Sequence, residues 1–238
     1  MTDDYVQAST KIKICGLSRE EDMEAINTYP TDFCGFVFAP GSRRRVSLSQ
    51  AGKLSAMRKK GITAVGVFVD APVDLIGQAA DSKVIDMIQL HGHEDESYLT
   101  RLRKITTCKI IQAVTIRTLN DIIRAKSSSA DYILLDNGSG SGQTFQWDLL
   151  EKAEKTLGNG IGRKYFLAGG LSPENLTEAI SRFHPYAVDI SSGVESYLER
   201  QGAEPVRVKD PLKIRRCVEI ARSSPGQSRN SINKITPL

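Results

Sequence analysis

Eight short apolar runs, each closed by a polar or glycine-bearing turn and followed by a segment of helical periodicity, recur along this 238-residue chain. They lie at 11–15, 33–38, 63–69, 87–90, 109–114, 132–135, 164–168 and 187–190. Strands that alternate with helices pair in parallel through right-handed crossovers. Open doubly wound sheets rarely need eight such units, whereas a sheet closed on itself does. The length agrees, since a (β/α)8 barrel typically takes about 250 residues. The expected fold is therefore α/β, a single (β/α)8 TIM barrel of parallel strands with outer helices.

Helix starts support the same division. Ser18 precedes Arg19-Glu20-Glu21 at capping-box spacing, and Ser47 precedes a helix reaching about Lys60. Ser172-Pro173-Glu174 sets a capping residue, a first-turn proline and an acid in order. The barrel domain is expected over 1–222, with 1–10 a polar N-terminal extension. Residues 223–238 have the composition of a flexible tail, and 196–209 read as a long, charged connection between the last strand and the last helix.

Composition narrows the function classes. With 40% hydrophobic and 25% charged residues and no run of eighteen apolar positions, no membrane span is expected. The acidic first residues lack a secretory h-region, so a cytoplasmic location is expected. A net charge of +4 favours an anionic ligand but lacks the concentrated basic footprint of a nucleic-acid binder. The four cysteines (15, 34, 108, 217) form no C-x-x-C pair, and the histidines (91, 93, 184) complete no zinc pattern. Reduced thiols and no metal are the expectation.

In a parallel barrel the active site forms at the C-terminal ends of the strands, so the residues that close each strand are read as a set. Cys15 closes the first in Lys13-Ile14-Cys15-Gly16. A free cysteine is ordinarily a small buried hydrophobe, but a thiolate at a strand-end turn can act as base or nucleophile. Cys34, Cys108 and Cys217 read as packing residues. Asp136 closes the sixth strand, where the alternatives are a turn aspartate and an acid–base group. Arg43-Arg44-Arg45 follows the second strand, either as a solvated charge run or as a fork for a carboxylate. Gly169-Gly170 after the seventh strand and Ser191-Ser192-Gly193 after the eighth occupy the recurrent phosphate position of this fold. Gly142, in the glycine-rich segment after Asp136, His91 at the end of the fourth strand, and Asp189 in the eighth are further pocket candidates.

Taken together these motifs resemble phosphoribosylanthranilate isomerase, a TIM-barrel family of tryptophan biosynthesis. The matching residues are Lys13-Ile14-Cys15-Gly16, Gly35-Phe36-Val37-Phe38 through Pro40 and Ser42 to Arg44, Gly66-Val67-Phe68-Val69, and Gln89-Leu90-His91-Gly92. They continue through Leu134-Leu135-Asp136, Gly140-Ser141-Gly142, Thr144-Phe145, Gly169-Gly170-Leu171, Pro173-Glu174-Asn175, Val188-Asp189 and Ser191-Ser192-Gly193-Val194-Glu195.

The resemblance covers about 11–222 and implies an Amadori rearrangement of N-(5′-phosphoribosyl)anthranilate to 1-(2-carboxyphenylamino)-1-deoxyribulose 5-phosphate. It implies Asp136 as general acid, Cys15 as general base, Arg44 on the anthranilate carboxylate, and the turns after strands seven and eight on the phosphate. No cofactor is implied. The implied partner is this small molecule rather than nucleic acid or membrane, and the chain would be a monomer or homodimer. Gln146 departs from the aspartate usual in Phe-Asp-Trp, and 196–209 is longer than the family pattern. A Schiff-base aldolase on the same barrel would need a lysine where Asp136 stands. A histidine-pathway isomerase would use an aspartate where Cys15 stands.

Overall fold

The computed structural model describes residues 9–136, 148–152, 161–200 and 202–223. Most of the expected N-terminal extension and tail, the glycine-rich segment with Gly142, and Phe145-Gln146-Trp147 lie outside the described residues. Eight strands, β1 (Lys11–Cys15), β2 (Phe33–Val37), β3 (Thr63–Phe68), β4 (Met87–Leu90), β5 (Lys109–Thr115), β6 (Tyr132–Asp136), β7 (Tyr165–Ala168) and β8 (Ala187–Ile190), close into one barrel in sequence order. Every neighbouring pair is parallel, and β1 pairs with β8 to complete the ring. The eight runs read from the sequence are these strands, each within one or two residues.

Alternation along the strands separates two cores. Ile12, Ile14, Cys34, Phe36, Ile88, Leu90, Ile133, Leu135, Val188 and Ile190 point outward and pack against the helices. Phe33, Val65, Met87, Ile111, Leu134, Phe166 and Ala187 fill the interior. An aromatic group closes the N-terminal end: Phe33 meets Phe166 edge-on at 5.2 Å, and Tyr132 stacks on Tyr186 at 5.3 Å. Ligand access is thereby confined to the opposite, C-terminal end.

Three local readings change. Ser47 caps the helix Leu48–Ala56 by accepting from Gln50 N, but that helix stops short of Lys60. Ser18 does not cap the helix Glu20–Thr28; the buried Asp22 carboxylate accepts from Ser18 N at 3.0 Å and Arg19 N at 3.1 Å instead. An acid inside the first turn reaches back to the N–H groups at and just before the N-cap, the half of a capping box that a hydroxyl ahead of the helix does not supply. Ser172 lies one turn before the helix Leu176–Phe183, with its N–H held by Asn175 Oδ1 at 2.9 Å.

The connection 196–209 is not a loop. Strands β9 (Glu195–Arg200) and β10 (Ala203–Lys209) form an antiparallel hairpin with a register shift near Pro205. It leads into the helix Pro211–Ser223, which packs on β1 and on the helix Glu20–Thr28. No helix among the described residues is long and apolar enough to cross a membrane.

Candidate active site

Cys15 ends β1 with its sulfur in the barrel interior, because its register partner on β2 is glycine. A Cβ at Gly35 would stand 2.8 Å from the Cys15 sulfur and 3.0 Å from its Cα. Any larger residue would evict the thiol. Lys13, two positions earlier, shares the interior face. It is fully buried, and its Nζ donates to Asp189 Oδ2 at 2.8 Å across the β1–β8 seam. Its charge acts on the Cys15 thiol, the next inward-facing residue of β1.

These neighbours oppose one another electrostatically. Burial pushes the Cys15 thiol above its ordinary value; Lys13 and Lys209 pull it down, and Asp189 pushes it up. Burial works against the Lys13 ammonium, but Asp189 and Cys15 outweigh it and hold its pKa above the usual lysine value. The other thiols fit their packing role: burial pushes Cys34 and Cys217 up to about 12.

Asp136 ends β6 on the same face as Leu134 and therefore also turns inward. His91, just beyond β4, places Nε2 at 3.3 Å from Asp136 Oδ2. Its Nδ1 lies 3.1 Å from Gln89 Nε2. With the Gln89 amide donating, Nδ1 accepts and Nε2 carries the proton toward Asp136 in the neutral ring. His91, a pocket candidate in the sequence, is thus joined to Asp136.

Arg44 lies with its stem over Gly16, where a Cβ would come within 2.4 Å of Arg44 Cδ. Its guanidinium grips Glu195, with Nε at 2.5 Å and Nη2 at 3.0 Å. Arg43 reaches the same carboxylate at 3.0 Å, and Lys209 Nζ at 3.1 Å. Lys209 is almost fully buried and also donates to the Ser191 carbonyl at 2.9 Å. Burial opposes the Glu195 charge, but Arg44 and Lys209 hold its carboxyl below the usual range. The sequence leaves Arg44 free to grip a ligand; in the fold part of its fork is spent on Glu195 and the rest of its N–H groups face outward from that pair.

The turns after β7 and β8 come into contact. A Cβ at Gly193 would lie 1.9 Å from the Leu171 carbonyl oxygen, so only glycine lets these backbones meet. Gly169 and Gly170 have φ of 96° and 71°. Ser191 Oγ donates to the Cys15 carbonyl at 3.0 Å, which ties the β8 turn to β1, while Ser192–Val194 forms a 3-10 turn. Asp189 faces the interior but is buried against Lys13 rather than lining an open mouth. Two clefts flank this region. One of about 570 Å³ includes His91, Gln112, Thr115 and Arg117; the other, about 400 Å³, includes Gly16, Arg44, Glu195 and Lys209.

Lys13, Lys209 and Glu195 carry no role in the sequence reading, yet each touches a site residue. Lys13 left a legible signal, a charged residue at an inward position two before Cys15. Glu195 and Lys209 could not be given a role from sequence, because their partners are brought beside them only when β8 closes on β1.

The sequence model of N-(5′-phosphoribosyl)anthranilate isomerase matches residues 12–219. The N-(5′-phosphoribosyl)anthranilate isomerase of Endomicrobium trichonymphae is 40% identical over 218 residues, covering 90% of this chain and 98% of that protein. A crystal structure of phosphoribosyl anthranilate isomerase with reduced 1-(o-carboxyphenylamino)-1-deoxyribulose 5-phosphate superimposes with a TM-score of 0.73 at 32% identity, covering 89% of this chain and 98% of that one. Monomers derived from the dimeric enzyme of Thermotoga maritima give a TM-score of 0.73 at 31% identity, with the same coverage.

Proposed function

The chain belongs to the N-(5′-phosphoribosyl)anthranilate isomerase family, and on that premise we propose how its own residues perform the isomerisation. The family places it in tryptophan biosynthesis as an isomerase. The substrate is N-(5′-phosphoribosyl)anthranilate and the product its 1-deoxyribulose 5-phosphate isomer. The observation that carries the assignment is the convergence of Cys15 and Asp136, from β1 and β6, on the interior at the C-terminal end of one barrel.

Asp136 donates a proton to the furanose ring oxygen as the C1′–O4′ bond breaks, leaving the Schiff base of the open sugar. The thiolate of Cys15 then removes the proton from C2′, forming S–H and an enolamine. Tautomerisation returns a proton to C1′ and leaves the ketone at C2′. No atom is gained or lost. His91 bonded to Asp136 orients the acid. Aligned acid and base groups of this kind contribute roughly 10²–10⁴-fold each.

Arg44, fixed by Glu195, meets the anthranilate carboxylate with its remaining N–H groups. The phosphate sits in the turns at Gly169-Gly170 and Ser191-Ser192-Gly193, where backbone N–H groups near the start of the helix Leu176–Phe183 favour an anion. By analogy with the Thermotoga maritima enzyme, the protein assembles as a homodimer. Purified chain in EDTA is expected to quench the fluorescence of N-(5′-phosphoribosyl)anthranilate and yield a product of unchanged mass. Absence of turnover would overturn this reading.

A further inference from the structure

The interior of β1 holds a group the mechanism above does not use. Lys13 is a fully buried lysine in a barrel interior whose apolar filling includes Phe33, Val65, Ile111, Leu134 and Phe166. Burying a charged pair is no efficient route to stability, since apolar residues of similar volume commonly do as well or better. A lysine retained here calls for another reason, and its contacts supply one. Its ammonium donates to Asp189 at 2.8 Å, and its side chain shares the inward face of β1 with that of Cys15, two positions on, so that its charge acts on the thiol. The strand geometry fixes this arrangement: Lys13 and Cys15 share one face, and Asp189 is the register partner of Lys13.

We propose that Lys13, anchored on Asp189, is the positioning residue that sets the balance between thiol and thiolate at Cys15. This rests on Cys15 being the base. A resting thiol must first release its proton to solvent before its thiolate can accept one from C2′. The ammonium of Lys13 stays charged throughout, neither gaining nor losing a proton, and serves as the counter-ion of the thiolate. Asp189 acts in the opposite sense. It holds the ammonium in place, yet its own negative charge disfavours a second anion at Cys15. From the other packed elements, Lys209 on β10 favours the thiolate, and Cys34 on β2 adds only a neutral thiol. The Asp189 Oδ1 atom is buried without a hydrogen-bond partner among the described residues, so its charge is incompletely neutralised. Lys13 and Asp189 therefore pull Cys15 in opposite directions.

The test is the pH dependence of Cys15 alkylation by iodoacetamide in the full chain, with the modified peptide identified by mass. Lys13→Met should shift the alkylation midpoint upward by at least about one unit, or roughly tenfold less thiolate at a given pH. Asp189→Asn should shift it downward, and Lys13→Arg should restore it toward the parent. The acidic limb of the kcat/KM profile should move with the midpoint in each active variant. Midpoints that stay put, or move the same way in the Lys13→Met and Asp189→Asn proteins, would overturn the proposal. If Lys13→Met does not fold, the downward shift in Asp189→Asn decides it. Full activity of Cys15→Ser would instead remove the base assignment while leaving the alkylation shifts intact, so the two failures are distinguishable.

Discussion

Gly35 leaves the space that the sulfur of Cys15 fills: a single Cβ at that position would lie 2.8 Å from Sγ. The atom in conflict belongs to the short side chain of a register partner, not to the tip of a flexible one. Gly35→Ala should therefore push the thiol out of line, lowering kcat/KM by at least about tenfold. The overpacking should cost about 1–3 kcal/mol of stability, read by urea unfolding. An alanine variant with parental turnover would show that the placement of Cys15 does not depend on this contact.

The Lys13–Asp189 pair separates stability from activity. Removing one partner of a buried pair leaves an unpaired charge and costs about 3–5 kcal/mol. Lys13→Met should lose roughly that much by urea unfolding. Replacing both, as Lys13→Met with Asp189→Leu, should recover most of the loss while turnover stays low. Recovery of turnover along with stability would argue that the pair does nothing for Cys15.

Glu195 makes the site acid-sensitive. Its carboxyl titrates below the ordinary 4.5, since Arg44 and Lys209 outweigh the opposing effect of burial. A depressed carboxylate contributes stability that is complete above the unfolded value and is lost as pH falls through the folded one. The urea midpoint of the parent should thus fall between about pH 5 and pH 3 more steeply than that of Glu195→Gln. At neutral pH the Gln variant should raise KM about five- to tenfold with kcat little changed, the pattern of a lost ground-state contact through Arg44.

The close approach of the last two turns predicts a phosphate-specific defect. Gly193→Ala drives a methyl into the Leu171 carbonyl, and backbone must move. KM for the phosphorylated substrate should rise at least about tenfold, and inorganic phosphate should lose potency as an inhibitor in parallel. Unchanged KM would place the phosphate elsewhere.

How much of this was legible depended on the range of the interaction. The eight strands could be read because a parallel sheet buried on both faces leaves apolar runs such as Met87-Ile88-Gln89-Leu90, closed by local turn residues. Cys15, Asp136 and His91 could be read as strand-end residues for the same reason. The Lys13–Asp189 contact spans 176 positions and exists only because β8 closes on β1. The hub at Glu195 joins the β2 turn to β10, again a product of closure. The β9–β10 hairpin was hidden by its composition: Glu199, Arg200 and Gln201 beside Gly202, and Pro205 within β10, read as a solvated connection. Ser18 misled because Asp22, inside the helix, does the capping.

The most direct test of the account is the turnover of N-(5′-phosphoribosyl)anthranilate by Cys15→Ser and Asp136→Asn, each compared with the parent chain by loss of substrate fluorescence. Both variants should fold normally and lose about two orders of magnitude or more in kcat. Parental kcat in either one would contradict the division of acid and base between β6 and β1.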